Sequence, residues 1–192
     1  MNMTELSPLI IPLAPEAHRF AKELAVEQST PEKGKRVYFN ALAVCAVRTY
    51  LEGMGYQTDL DAGDSASPYV CGLLDATDLV LPGLGVLECR PVFSGETVFK
   101  LTMEEREGLI GYVPVQFEEQ LDMVELLGFC GAFAPEMPPE VVEFSYLKPL
   151  DRLAEKLEDI IEELEKNKAS TVYSLNHHKE ACRSEGNNSG KK

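Results

Sequence analysis

The feature that most constrains this chain is residues 37–51, Val-Tyr-Phe-Asn-Ala-Leu-Ala-Val-Cys-Ala-Val-Arg-Thr-Tyr-Leu, apolar on nearly every face of a helix. A helix that is apolar all round must be enclosed by the rest of the fold. Its many small residues allow close packing against a sheet, so the sequence predicts a buried central helix, stopped by Gly53 and Gly55.

Around this element the periodicity changes. Pro15 at a first helical position, followed by Ala17, Phe20, Ala21, Leu24 and Ala25, predicts an amphipathic helix over 15–28 that ends near Ser29-Thr30-Pro31. The basic segment Lys33-Gly34-Lys35-Arg36 reads as the loop into the central helix. Residues 56–60 read as a short strand and 61–68 as loop. Asp78-Leu79-Val80-Leu81, the turn Pro82-Gly83 and residues 84–92 carry a hairpin signal. Residues 109–117 and 123–133 form a second strand pair around Glu118-Glu119-Gln120-Leu121-Asp122. Leu150, Leu153, Leu157, Ile160 and Leu164 make a seam on a helix over 148–168. Residues 169–192 are polar, without a period that could bury surface, and read as a disordered tail. The expected fold is α+β, an antiparallel or mixed sheet of four or five strands flanked by helices, plus a C-terminal helix. One domain covers 6–168.

Charge excludes partners. Lys plus Arg number 18 against 32 for Asp plus Glu, a net charge of −14 that repels phosphate backbones and anionic lipid headgroups. Neither nucleic acid nor a membrane is expected as a direct partner. The acidity concentrates between residues 91 and 147, which carry −9. Cys45, Cys71, Cys89, Cys130 and Cys182 are odd in number and widely spaced, as thiols of a reducing cytoplasm are. Leu9-Ile10-Ile11, broken by Pro8 and Pro12, is too short for a signal or a span.

The spacing closest to chemistry is Asp78, then Glu88-Cys89-Arg90 at the end of the hairpin. It looks like the metal-dependent nuclease fold, where two strand-borne carboxylates hold Mg²⁺ and a lysine activates water. Here the lysine position is Arg90, whose guanidinium stays protonated and cannot act as a base. The simpler reading pairs a sheet-edge carboxylate with an arginine. Asp59-Leu60-Asp61-Ala62-Gly63-Asp64 imitates a calcium loop but lacks its terminal glutamate, and His177-His178 with Cys182 is incomplete for zinc. No nucleophile–histidine arrangement and no phosphate-binding loop is present, so no cofactor or metal is expected. A small-molecule pocket between the central helix and the sheet would draw on Cys45, Tyr50 and Tyr69, residues that are more often plain core.

Several separated stretches are similar to domain-of-unknown-function family 1822 of cyanobacteria. They are Arg36-Val37-Tyr38-x-Asn40-x-Leu42-Ala43-Val44, Tyr50-Leu51, Thr58-Asp59-Leu60, Leu87-Glu88-Cys89-Arg90-Pro91-Val92, Ile110-Gly111-Tyr112-Val113-Pro114-Val115-Gln116 and Leu126-Leu127-Gly128-Phe129. The resemblance spans about residues 6–164 and implies a cyanobacterial cytoplasmic protein with no established activity and no assigned functional residues. Gene neighbourhoods holding alternative sigma factors imply a regulatory or anti-sigma-like role. The expected function is therefore non-enzymatic binding of a protein, a basic one such as a sigma factor. Its contacts would be Glu118 and Glu119 with the seam Leu150, Leu153, Leu157, Ile160 and Leu164. The alternative is a degenerate nuclease-like domain using Asp78, Glu88 and Arg90.

Overall fold

The computed structural model describes residues 8–101, 107–133 and 140–185, with side chains through Lys168. Two compact units divide the chain, Met1–Leu153 and Ala154–Lys192.

In the first unit, helix α1 (Pro15–Val26) opens on Pro15 and buries Ala21 and Leu24. Helix α2 (Pro31–Gly53) starts earlier than expected. Pro31 pre-sets its first turn, and Thr30 caps it, Oγ1 accepting from the Lys33 N–H at 3.3 Å. The basic segment 33–36 is thus helix rather than loop. Gly34 has a packing reason: a Cβ there would stand 3.0 Å from the Ala25 carbonyl oxygen, where α1 and α2 approach. Farther along, Leu42, Ala43, Val44, Ala46, Val47 and Leu51 have no measurable exposure, as an all-round apolar helix requires.

Residues 56–60 form no strand; Asp59 makes only an isolated bridge to Val80. Its carboxylate accepts the N–H groups of Asp61 and Ala62 at 3.1 Å each, which turns the chain locally. A short helix α3 (Pro68–Leu74), absent from the sequence reading, is capped by Ser67 and halted by Asp75 in the left-handed region at φ 55°.

Among the described residues of this unit are eight strands: β1 (Leu9–Pro12), β2 (Asp78–Leu81), β3 (Gly85–Phe93), β4 (Val98–Lys100), β5 (Leu109–Phe117), β6 (Met123–Leu126), β7 (Cys130–Gly131) and β8 (Val141–Glu143). The main sheet runs β1-β6-β5-β3-β2, with β7 also pairing β5, while β4 and β8 form a separate two-stranded sheet. Only β3 and β5 pair in parallel among the described strands, so the sheet is mixed. The stretch 123–133 is two strands, β6 and β7, parted at Leu127-Gly128-Phe129.

Alternation along the strands gives this sheet two unlike faces. One carries Leu79, Leu81, Leu87, Cys89, Val113, Val115, Phe117, Val124 and Leu126, all buried, and turns toward α2. On the other, Val92 and Tyr112 join Phe99, Leu101, Cys130, Val142 and Leu147 in a smaller core beneath β4 and β8. Asp78, Glu88 and Arg90 share that second face.

The described part of the second unit belongs to α4 (Asp151–Glu185), whose backbone continues past Lys168, where the sequence reading begins a tail. Residues 186–192 lie outside the described residues. No described helix is long and apolar enough to cross a membrane.

Candidate functional site

In the β2–β3 register Asp78 stands opposite Glu88. Directly opposed residues of an antiparallel pair project to one face, and Arg90, two positions on, projects with them. The convergence that the nuclease-like reading requires is therefore present. Its environment is a closed polar network. Asp78 is buried, its Oδ2 accepting from the Asp64 N–H and its Oδ1 from the Ser65 N–H, both at 2.8 Å. Ser65 Oγ in turn donates to the Asp78 carbonyl at 2.6 Å. These bonds fasten the 3₁₀ turn Asp64–Ala66 to β2. Gly63 permits the approach, since a Cβ there would stand 3.0 Å from the Asp78 carbonyl oxygen and 3.1 Å from its Oδ2.

Glu88 is 0% exposed. Its Oε2 accepts from Arg90 Nη2 and, at 3.3 Å, from Thr77 Oγ1. Arg90 Nη1 donates to the Asp75 carbonyl at 3.4 Å. The Asp75 carboxylate accepts from Asn40 Nδ2 at 2.7 Å and pairs with Arg36 Nε at 3.1 Å, while Arg36 Nη2 donates to the Gly72 carbonyl at 3.1 Å. A continuous chain of charge-assisted bonds thus links β3 to α2 through the end of α3. Among the described residues no group of three or more His, Cys, Asp or Glu is placed to hold a metal ion. The side chains of His177, His178 and Cys182 lie outside those described.

Cys45, Cys71, Cys89 and Cys130 are free and buried. Burial pushes the Cys45 thiol up to about 11 against the opposing pull of Arg48. It holds Cys89 well above the ordinary thiol range, with Glu88 and Asp78 adding to the effect. Burial raises Cys71 and Cys130 as well. Neutral buried thiols are poor nucleophiles, so these cysteines act as core.

Tyr69, on α3, is 78% exposed, whereas Cys45 is buried and Tyr50 half-buried on α2. Among the described residues two clefts open at other places. One of about 370 Å³ opens between the first turns of α2 and the end of β3, and a shallower one of about 770 Å³ runs along α1 past His18, Arg19 and Lys22.

Glu118 and Glu119 sit exposed in the β5–β6 turn, and Gln116 Nε2 donates to Glu118 Oε1 at 3.1 Å. Two exposed apolar residues that the sequence reading missed are Ile10 and Met123, 56% and 54% exposed. Ile10 pairs with Glu125 and Pro12 with Met123, so Ile10 and Met123 are diagonal neighbours on the face turned away from α2. The signal available for them was Leu9-Ile10-Ile11, a strand-like run whose partner lies far along the chain. Leu150, just before α4, is half-buried; on α4, Leu153 and Leu157 are buried, Ile160 half-buried and Leu164 exposed.

No curated protein and no solved structure matches the chain. A family match nevertheless covers residues 11–181, which include both strand pairs, the central helix and the acidic turn. The chain belongs to the family described as Protein of unknown function (DUF1822).

Proposed function

We propose that this chain is a non-enzymatic protein-binding module whose docking face is the open part of the main sheet around β1 and β6. One observation carries the reading: Ile10 and Met123, each more than half exposed, are diagonal neighbours on the face that also carries Glu125, and the turn holding Glu118 and Glu119 immediately precedes Met123's strand. A solvated sheet face ordinarily presents polar residues, and large apolar side chains rimmed by charge mark interaction surfaces. The matching partner is a segment with apolar anchors and basic flanks. A sigma factor is the basic partner that the family resemblance supplies, and regulation of transcription follows from it. The apolar pair provides most of the affinity, about 1–2 kcal/mol for each side chain covered. Acidic neighbours chiefly steer the encounter, since an exposed ion pair contributes about 0.2–1 kcal/mol. On α4, Ile160 and Leu164 are the seam positions open to a separate contact.

Fluorescence anisotropy with purified sigma factors of the source organism tests the proposal. Ile10→Asp with Met123→Asp should weaken binding at least about tenfold, and Glu118→Lys with Glu119→Lys should slow association and flatten its salt dependence. Parental affinity in both double variants would end the reading.

The nuclease-like alternative retains one favourable observation, the shared face of Asp78 and Glu88. It requires Mn²⁺ binding that Glu88→Gln abolishes. Calorimetry showing no Mn²⁺ uptake by the parent chain removes it.

A further inference from the structure

The cleft between the first turns of α2 and the end of β3 differs from the rest of this acidic molecule. Lys35 and Arg36 stand on its rim, in a chain of net charge −14. Its wall is aromatic: Phe39 meets Phe93 edge to face with ring centroids 4.9 Å apart, and Pro91 lies alongside. Phe93 remains 40% exposed, so its ring is open to an occupant. Its backbone is held by the following turn, the Phe93 N–H donating to Glu96 Oε2 at 2.7 Å and the Phe93 carbonyl accepting from the Glu96 N–H at 3.0 Å.

The polar side of the cleft is equally preformed. Arg36 is oriented by its bonds to Asp75 and Gly72. Asn40, 3% exposed, gives Nδ2 to Asp75 and keeps an amide acceptor and a second N–H at the inner wall. Lys35 makes no ion pair among the described residues. A volume of about 370 Å³ accommodates one or two fused rings.

We propose that this cleft binds a small organic anion with a flat aromatic body, an aryl carboxylate or sulfonate in chemical class. The ring lies against Phe39, Phe93 and Pro91, and the anionic group meets Lys35 and Arg36. Lys35, which has no ion pair among the described residues, selects an anion, while Arg36, already paired with Asp75, adds guanidinium N–H donors. Glu32 shares the rim and opposes the anion, so it tunes affinity downward. The site uses the α2 side of the sheet and stands independently of the protein-docking face.

The test titrates the full chain with 8-anilinonaphthalene-1-sulfonate, followed by fluorescence and calorimetry, with uncharged N-phenyl-1-naphthylamine as the comparison ligand. Saturable one-to-one binding is expected, at least about tenfold tighter for the sulfonate than for the neutral compound. Lys35→Glu and Phe93→Ala should each weaken it about tenfold, and Glu32→Gln should strengthen it about two- to threefold. Both weakening substitutions are at accessible side chains, and far-UV circular dichroism checks that the variants fold. Non-saturable binding, equal affinity for the neutral compound, or parental affinity in Lys35→Glu and Phe93→Ala would each overturn the proposal.

Discussion

Replacing Arg90 by methionine takes the guanidinium away from Glu88, whose side chain is closed off from solvent, and withdraws the donor that reaches the Asp75 carbonyl. Methionine keeps most of the aliphatic volume, so the loss is mainly electrostatic. Removing one member of a buried ion pair costs on the order of 3–5 kcal/mol, because the desolvation of the remaining charge is no longer offset. The hydrogen bond to Asp75 adds about 1 kcal/mol. At roughly 2–4 °C per kcal/mol for a chain of this length, the thermal midpoint should fall by about 10 °C or more. Glu88→Leu combined with Arg90→Met removes both charges and should recover most of that loss, to within about 2 kcal/mol of the parent. Urea unfolding of the parent, the single variant and the double variant, followed by circular dichroism, measures all three. A single-variant cost below about 1 kcal/mol would show that Glu88 does not depend on Arg90. A double variant no better than the single one would show that Arg90 acts through Asp75 and α2 instead.

Two further outcomes follow from the core. Because Cys45 keeps its proton in the folded chain up to about pH 11, the unfolded chain releases that proton first as pH rises. Stability is thus fully present below the ordinary thiol range and lost as pH climbs through it toward 11; Cys45→Ala should reduce the alkaline loss seen in urea unfolding between pH 8 and pH 11. Gly111→Ala would drive a Cβ into the Cys130 carbonyl and to 2.6 Å from the Phe129 ring, where β5 meets β7. It should cost about 1–3 kcal/mol in a thermal melt, and parental stability would mean that this crossing is loose.

The central helix was readable because an apolar stretch with no polar face has one sensible place in a folded chain. Its start was misplaced because Lys33-Gly34-Lys35-Arg36 has the composition of a loop, while the reason for Gly34 is a contact with Ala25 that no local pattern reveals. Thr30-Pro31 did carry a cap signal, but it was assigned to the end of the preceding helix. The pairing of Asp78 with Glu88 follows from the Pro82-Gly83 turn, which fixes hairpin register. What the turn could not convey is that the backbone of Asp64 and Ser65 occupies the Asp78 carboxylate. Strands β4 and β8, three residues each, are too short for an alternation to register, and their partnership spans about forty residues of chain. Ile10 and Met123 escaped for the same reason at longer range.

That long range bears on how the protein is made. Among the described strands β1 pairs with β6 alone, Leu9 opposite Leu126, so its partner is translated more than one hundred residues later. At about 5–20 residues per second, the ribosome leaves Leu9-Ile10-Ile11 waiting on the order of ten seconds before a cognate edge exists. During that interval the segment is an unclaimed apolar strand, open to any other edge. Pro8 and Pro12 flank it and lack the N–H groups that a longer ladder would need. The two prolines therefore limit wrong pairings on the nascent chain, and their value is greatest before the fold they belong to exists.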